Sequence, residues 1–159
     1  MPLNQAIALI AFVGLCLGIG GVGGLLTARS VREWFPTLEK PRWNPPSWLF
    51  APVWTMLYIA MGLAAWMIWR EDKLYSAAGY WFAAQLVLNL GWSWLFFYLR
   101  RPDLAFAEIV VLWITIFATL LLFWQINTVA GILFVPYLAW VTFATALNRA
   151  IWRLNRQKK

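Results

Sequence analysis

The sequence predicts an all-α membrane protein, folded as a bundle of five transmembrane helices. Its 159 residues are 63% hydrophobic and 12% charged, with a mean hydropathy of +0.68, whereas a soluble domain carries roughly 25% charged residues. The charges are also confined to short segments, because residues 1–28, 43–69, 74–99 and 109–148 contain none. Basic residues, finally, are concentrated on alternate connections between these uncharged runs.

The uncharged runs define the helices in chain order. A spanning helix needs about 20 apolar residues, so each of the first three runs supplies one helix. The fourth run is twice that length and is interrupted by the polar stretch 125–128, which indicates two helices joined by a tight turn. The five predicted spans are residues 4–27, 47–69, 74–99, 104–125 and 128–148. Because little chain is left over, we expect residues 1–159 to form a single domain.

The basic residues predict the orientation of the bundle. With five spans, the N-terminus and the second and fourth connections share one side, which carries only Arg70 and Lys73. The other side carries Arg29, Arg32, Lys40, Arg42, Arg100, Arg101, Arg149, Arg153, Arg156, Lys158 and Lys159. The positive-inside rule places the N-terminus outside and the C-terminus in the cytoplasm, a bias that favours a bacterial membrane. Topology and contact with anionic lipids explain the net charge of +7 better than nucleic acid binding does.

Several kinds of chemistry are excluded or disfavoured by composition. The chain has no histidine, so it lacks the commonest metal ligand and the usual general base near neutral pH. Its single cysteine, Cys16, lies within a predicted span and is most simply a small buried side chain. The glycines of residues 18–24 follow no predicted strand, and close helix packing explains them better than nucleotide binding. We therefore expect no metal site and no bound cofactor.

Polar residues at helical spacing indicate a site inside the bundle. Gln85, Asn89 and Ser93 recur every four residues, so they share one face of the third span. That face must meet protein or a cavity, because hydrocarbon leaves its polar groups unpaired. At a rise of about 1.5 Å per residue, Trp54, Asn89 and Trp140 lie roughly 10–15 Å from the cytoplasmic ends of their spans. Three helices therefore present polar-edged side chains at a similar depth.

Neighbouring residues extend this predicted pocket. Trp92 lies beside the polar face, Tyr58 shares a face with Trp54, and Ala144 leaves space beside Trp140. Most of the tryptophans are interpreted as interfacial belt or packing residues. Trp54 and Trp140 lie too deep for a belt, so cavity lining is favoured over core packing for both.

The segment before the second span is predicted to close this pocket. Trp43 and Trp48 suit anchors at the membrane interface, and Pro45-Pro46 fix how the chain enters the second span. Loop 28–46 is therefore interpreted as a lid. Glu108, about one turn into the fourth span, is a functional candidate by its position. The favoured interpretation, however, is that its side chain extends toward Arg100 or Arg101.

Taken together, these motifs resemble one known family. The chain reads, in order, Lys40-Pro41-x-Trp43-x-Pro45-Pro46, Trp54, Gln85-x-x-x-Asn89, Pro136-Tyr137-x-x-Trp140 and Ala144-Thr145-x-Leu147. This pattern is similar to that of the tryptophan-rich sensory protein family (TspO), also called translocator protein or peripheral benzodiazepine receptor. The similarity covers nearly the whole chain.

The resemblance implies a five-helix bundle, commonly a homodimer, with a pocket for protoporphyrin IX, sterols and benzodiazepine-type ligands. In bacterial relatives two pocket tryptophans are linked to light-dependent breakdown of protoporphyrin, and these correspond to Trp54 and Trp140. The residues implied as ligand contacts are Phe35, Pro45, Trp54, Asn89, Trp92, Trp140 and Ala144. Helical spacing adds Tyr58 and Gln85 to the predicted ligand contacts.

The sequence departs from the family at two points. Phe35 stands where some members have tyrosine, so a hydrogen bond from that position is lost. The sterol motif of the animal proteins is also imperfect, because Arg149 stands where a tyrosine is expected.

Three functions remain open at this level. The first is a membrane protein that binds a tetrapyrrole, with porphyrin as ligand or substrate, and promotes its light-dependent oxidation through Trp54 and Trp140. The second is a transporter or sensor of porphyrins or sterols that binds without chemistry. The third is a membrane scaffold that acts through its dimer.

Overall fold

The computed structural model describes residues 2–156 and contains five long helices in this range. They are α1 (Leu3–Glu33), α2 (Phe50–Arg70), α3 (Ala77–Ser93), α4 (Pro102–Ile126) and α5 (Thr128–Asn155). Short 3₁₀ turns at Phe35–Thr37 and Ser47–Leu49 lie between α1 and α2, and a π-helical turn at Trp94–Tyr98 extends α3. The described residues contain no strand. The predicted all-α, five-helix class is therefore confirmed.

The helices form a closed ring. Around the ring α1 packs on α2, α2 on α5, α5 on α4, α4 on α3, and α3 returns to α1. Four helical segments, which begin at Leu3, Ser47, Pro102 and Thr128, are long and apolar enough to cross a membrane. The third helix has 17 α-helical residues and reaches spanning length through the five residues of its π-helical turn.

Several predicted boundaries need correction. Residues 28–33 belong to α1 and not to the loop, because no helix breaker occurs before Pro36 and Arg29 pairs with Glu33 at 2.9 Å one turn later. The lid therefore begins at Trp34. The fifth helix extends seven residues past the predicted end at 148. Both extensions carry basic residues, so the apolar runs marked the membrane part of each helix and not its full length.

The two halves of the bundle are packed differently. One half of the bundle is formed by the C-terminal parts of α1, α3 and α5 and the N-terminal parts of α2 and α4. We call it the basic half, since the basic residues of the first and third connections lie there. The opposite half is filled with aromatic side chains. The rings of Phe123 and Phe134 lie 5.1 Å apart, and Phe82 stacks on Phe123 at 5.8 Å. This solid packing confines the open space to the basic half.

Glycines permit close helix contact in the opposite half. A Cβ added at Gly62 of α2 would lie 2.6 Å from the Cα of Val13, so the backbones of α1 and α2 touch there. A Cβ at Gly131 of α5 would lie 2.7 Å from the Cα of Trp124. Small residues at such crossings are the usual means by which membrane helices approach each other closely.

We expect Gly62→Ala to destabilise the protein by about 1–3 kcal/mol, because the new methyl group meets backbone that cannot yield without moving a helix. Thermal unfolding in detergent, followed by circular dichroism, measures the change. Gly14→Ala is the matched control on α1, since a Cβ there has nothing within 4 Å. Equal melting temperatures for the two variants would contradict the tight crossing.

Candidate functional site: a cavity in the basic half

A cavity of about 550 Å³ lies in the basic half, between α1, α2, α3 and α5 and beneath the loop after α1. Pockets for small molecules usually measure roughly 300–1,000 Å³, so this one is large enough for a multi-ring ligand. None of the described residues that line it is charged. The cavity therefore suits an apolar body that needs only a few hydrogen bonds.

Aromatic rings form much of the wall. On the α2 side, the ring of Trp54 lies 5.7 Å from that of Tyr58 and 6.3 Å from that of Tyr137. On the α3 side, Trp92 stacks on Phe96 at 5.3 Å. Aromatic pairs hold each other at such offset or edge-on distances, so the plates that face the cavity are fixed before any ligand arrives.

A chain of hydrogen bonds runs along one side of the cavity. The Tyr58 hydroxyl donates to Asn89 Oδ1 at 2.7 Å, Asn89 Nδ2 donates to the Tyr137 hydroxyl at 2.7 Å, and that hydroxyl donates to Gln85 Oε1 at 2.9 Å. Gln85 Nε2 contacts the sulfur of Met61 at 3.8 Å. Asn89 lines the cavity, and its amide keeps one N–H and one lone pair beyond these two bonds. It can therefore form hydrogen bonds to the edge of a ligand.

A second amide fixes the orientation of Trp92. Its indole N–H donates to Asn148 Oδ1 at 2.9 Å, and Asn148 Nδ2 donates to the carbonyl of Pro102 at 2.8 Å. This arrangement ties α3, α4 and α5 together at the basic end. Because the N–H of Trp92 already has an acceptor, Trp92 offers a ligand its ring face rather than a hydrogen bond.

The π-helical turn at the end of α3 brings two consecutive aromatic residues to the cavity. Phe96 and Phe97 both line it, and their ring centroids lie 4.8 Å apart. Successive side chains of a regular α-helix diverge by about 100°, since the helix has 3.6 residues per turn. A wider π turn reduces that divergence, and such turns recur at functional sites.

The lid is fastened at two points. The backbone N–H of Glu39 donates to Asn155 Oδ1 at 3.0 Å, and Asn155 Nδ2 donates back to the Glu39 carbonyl at 2.9 Å. Trp43 packs edge-on against Phe143 of α5 at 5.7 Å.

Within the lid, the Lys40 ammonium lies 4.8 Å from the centre of the Phe35 ring and donates to the Leu38 carbonyl at 2.9 Å. Partial burial lowers the pKa of Lys40. These contacts hold the loop closed over the cavity.

Most of the residues predicted for a site lie on the wall of this one cavity. The seven that line it are Phe35, Trp54, Tyr58, Asn89, Trp92, Trp140 and Ala144. Two predicted ligand contacts do not line it. Gln85 lies behind the wall, where it supports Tyr137, and Pro45 lies in the loop outside the wall. Helical spacing placed Gln85 on the right face but could not show that Tyr137 fills the space in front of it.

Other wall residues were missed from the sequence. Phe50, Thr55, Phe96 and Phe97 line the cavity without having been predicted, and so does Asn148. Asn148 lies eight residues after Trp140 in the sequence, so helical spacing puts both on one face of α5 and is a usable signal. The phenylalanines gave none, because an apolar residue in an apolar helix has no distinguishing pattern.

The expected contact of Glu108 with Arg100 or Arg101 is wrong. Both carboxylate oxygens of Glu108 are buried and have no hydrogen-bond partner among residues 2–156. Arg101 instead pairs with Asp103, at 2.8 and 2.6 Å. The Glu108 side chain faces Gly91 of α3, where a Cβ would lie 3.6 Å from its Oε1. The Glu108 side chain thus extends the short distance from α4 to α3, and it does not extend toward Arg100 or Arg101.

Trp140 also borders a second surface. A shallow groove between α2 and α5, on the outside of the bundle, is lined by Val53, Met56, Leu57, Pro136, Ala139, Trp140 and Phe143. Trp140 therefore has the cavity on one side and this outer groove on the other.

We expect Tyr137→Phe to lower stability by about 1–3 kcal/mol, because it leaves Asn89 Nδ2 and Gln85 Oε1 buried without their common partner. Thermal unfolding in detergent measures the loss. Tyr80→Phe is the matched control, since Tyr80 is 70% exposed and an exposed change costs no more than about 0.5 kcal/mol. If the two variants melt together, the hydrogen-bond chain has no part in stability.

Comparison with known proteins identifies the family of the chain. The model of the TspO/MBR family matches residues 12–153. The chain is 43% identical to the tryptophan-rich protein TspO of Chlorobaculum tepidum over 96% of this chain and 98% of that protein. It is 41% identical to the tryptophan-rich sensory protein of Cereibacter sphaeroides, over 92% of this chain and 90% of that protein. The translocator protein of Sus scrofa is 37% identical, over 92% of this chain and 91% of that protein. The chain thus belongs to the TspO/MBR family and is an integral membrane protein.

Proposed function

We propose that the protein binds a tetrapyrrole of the protoporphyrin IX type in the cavity of the basic half, and that it promotes the light-dependent oxidation of this ligand. The observation that carries the proposal is the cavity itself, an uncharged space of about 550 Å³ walled by fixed aromatic plates. A flat conjugated ring gains both apolar burial and stacking in such a space.

Hydrogen bonding and charge support this type of ligand. Asn89 offers spare donor and acceptor capacity to the edge of a macrocycle. Carboxylates have no cation inside the cavity, so the propionates of a porphyrin must point to its mouth. Arg32 follows the lining residue Val31 at that mouth and is exposed, so its guanidinium can meet them. With no histidine in the chain, a metal-free ring is a better guest than one that needs an imidazole ligand.

The proposed chemistry uses light and dioxygen. An excited porphyrin beside an indole can exchange an electron with it, and dioxygen is the final oxidant. Trp54 and Trp140 both border the cavity from different helices, so each can serve as this redox partner. The described residues contain no cluster of histidine, cysteine, aspartate or glutamate that could hold a metal ion, and the proposed route needs none.

Binding without chemistry is the second candidate. It is favoured by the lining of the cavity, which carries neither a charged group nor a general base among the described residues. Such a site can hold a porphyrin or a sterol for transport or sensing. Illumination separates the two candidates, since only the first predicts that the ligand is consumed.

The proposal also covers the orientation of the protein in the membrane and its oligomeric state. We place the N-terminus outside and the C-terminus in the cytoplasm of a bacterial membrane, because the basic residues gather at one end of the bundle. We also propose a homodimer. Gly14 and Gly18 on the outer face of α1 have open space around them, which permits close approach of a second helix.

Titration with protoporphyrin IX, followed by quenching of tryptophan fluorescence, tests binding. We expect Trp140→Leu and Trp54→Leu each to weaken the affinity about 3- to 10-fold, because a stacked aromatic contact contributes roughly 0.5–1.5 kcal/mol beyond its burial. Trp124→Leu is the control on α4, outside the cavity wall. Equal weakening in all three variants would show that the porphyrin binds elsewhere.

Illumination tests the chemistry. We expect the wild-type protein to degrade bound protoporphyrin in light and air, and Trp54→Phe with Trp140→Phe to slow this loss, because phenylalanine is much harder to oxidise than indole. Absorbance of the porphyrin band measures the rate at equal occupancy. A double variant as fast as wild type would remove the tryptophans from the mechanism and leave binding alone.

A further inference from the structure

One side of the cavity is open between α1 and α2. Most residues of the wall are buried or half-buried, but Gly21 and Gly24 of α1 and Ala51 and Thr55 of α2 line the cavity and are exposed. A Cβ added at either glycine would have nothing within 4 Å. The two helices are therefore separated here by a gap that only small residues border.

The gap has a structural origin in the seam between α1 and α2. The helices touch at Gly62 and Val13, and the Tyr58 ring packs directly on Gly20. Beyond Gly20, toward the basic end, a Cβ at Gly21 or Gly24 would meet no atom within 4 Å. The seam is thus closed in the opposite half and open in the basic half.

The gap lies at membrane depth over part of its length. Arg29 is the first charged residue of α1, and Gly24 and Gly21 precede it by roughly 7 and 12 Å at the rise of a helix. The gap then runs to the basic end, where the exposed lining residues are Val31 of α1 and Ser47 before α2. It therefore reaches from the apolar layer of the membrane to its polar surface.

The two threonine hydroxyls that line the cavity near the glycines both have acceptors. Thr55 donates its hydroxyl to the Ala51 carbonyl at 2.8 Å, and Thr27 donates to the Gly23 carbonyl at 2.8 Å. Both hydroxyls are satisfied within their own helices. An apolar ring can therefore pass without breaking a hydrogen bond.

In contrast to the gap, the route from water through the lid is closed. Between the cavity and the water above it lies the lid, which two hydrogen bonds between Glu39 and Asn155 fasten to α5. A flat apolar ligand would also have to leave the bilayer for water, at a cost of roughly 25 cal/mol for each Å² exposed.

We propose that ligands enter the cavity sideways from the bilayer, through the gap bordered by Gly21, Gly24, Ala51 and Thr55. The ring of an amphipathic ligand crosses at the depth of the glycines, while its carboxylates stay at the membrane surface near Arg32. This route rests on the proposed function only in the identity of the ligand, because the gap serves any flat molecule dissolved in the bilayer.

A cysteine inside the cavity tests the route without a porphyrin. Ala144→Cys, made in a Cys16→Ala background, is reconstituted in phosphatidylcholine–phosphatidylglycerol vesicles and treated with a long-chain N-alkylmaleimide that partitions into the bilayer. Mass spectrometry follows the modification. We expect Gly24→Leu to slow it at least about fivefold, within the range over which access steps vary among related variants. Ala51→Leu narrows the gap from the facing helix and should do the same.

Two variants serve as controls. Gly14→Leu makes the same substitution on α1 away from the cavity, and it should leave the rate of modification unchanged. Because Gly14 lies on the proposed dimer face, this variant also shows whether altered association between copies changes the rate. Asn155→Ala loosens the lid and should not accelerate the reaction. The proposal is overturned if Gly24→Leu and Ala51→Leu both react as fast as their parent. It is also overturned if Asn155→Ala raises the rate of modification by about fivefold.

Protoporphyrin kinetics in the same vesicles connect the route to the proposed function. Narrowing a passage slows association and dissociation together, so Gly24→Leu should lower both rates while the affinity changes less than either. If maleimide modification depends on Gly24 and Ala51 but the protein does not bind protoporphyrin, the proposed function is refuted and the route is kept. One that binds protoporphyrin at rates independent of Gly24 and Ala51 refutes the route and keeps the function.

Discussion

The buried amide of Asn89 is the interaction on which the site depends. It joins α2 through Tyr58 and α5 through Tyr137, and all three side chains are buried. A polar group at such depth is costly unless its partners are fixed. Three helices are therefore held at one spacing, and that spacing sets the width of the cavity. Trp54 packs on the two tyrosines that this amide holds, whereas Trp92 is held by Asn148.

A division of the bundle into a solid half and an open half follows from this constraint. Phenylalanines fill the opposite half, and glycine permits the backbones of α1 and α2 to meet at Gly62. The rigid half leaves the basic half free to carry a cavity, a lid and an uneven seam without loss of the fold. Asn148 and Asn155 repeat the role of Asn89 nearer the surface, each joining separate parts of the chain through a side-chain amide.

The sequence predicted the fold well because hydropathy alone specifies spanning helices. It predicted part of the site for a different reason, which is that Asn89, Trp54 and Trp140 are unusual residues at their depths. The features that the sequence did not predict depend on tertiary packing between side chains that have no distinctive sequence pattern. Gln85 shares the correct helix face, yet Tyr137 stands between it and the cavity. The π-helical turn that brings Phe96 beside Phe97 has no signature in an apolar run. The reach of Glu108 across to Gly91 depends on the packing of α3 against α4, which no periodicity encodes.

Trp140 separates the cavity from the outer groove between α2 and α5, so the partition between a bound ligand and the surrounding lipid is a single indole thick at this point. If the proposed porphyrin occupies the cavity, it lies on one side of this ring and acyl chains lie on the other. Singlet oxygen that forms at such a ligand and moves outward would then meet the electron-rich indole before it meets a double bond of an unsaturated lipid. On the proposed function, Trp140 would thus act as a sacrificial antioxidant for the membrane, at the cost of damage to the protein.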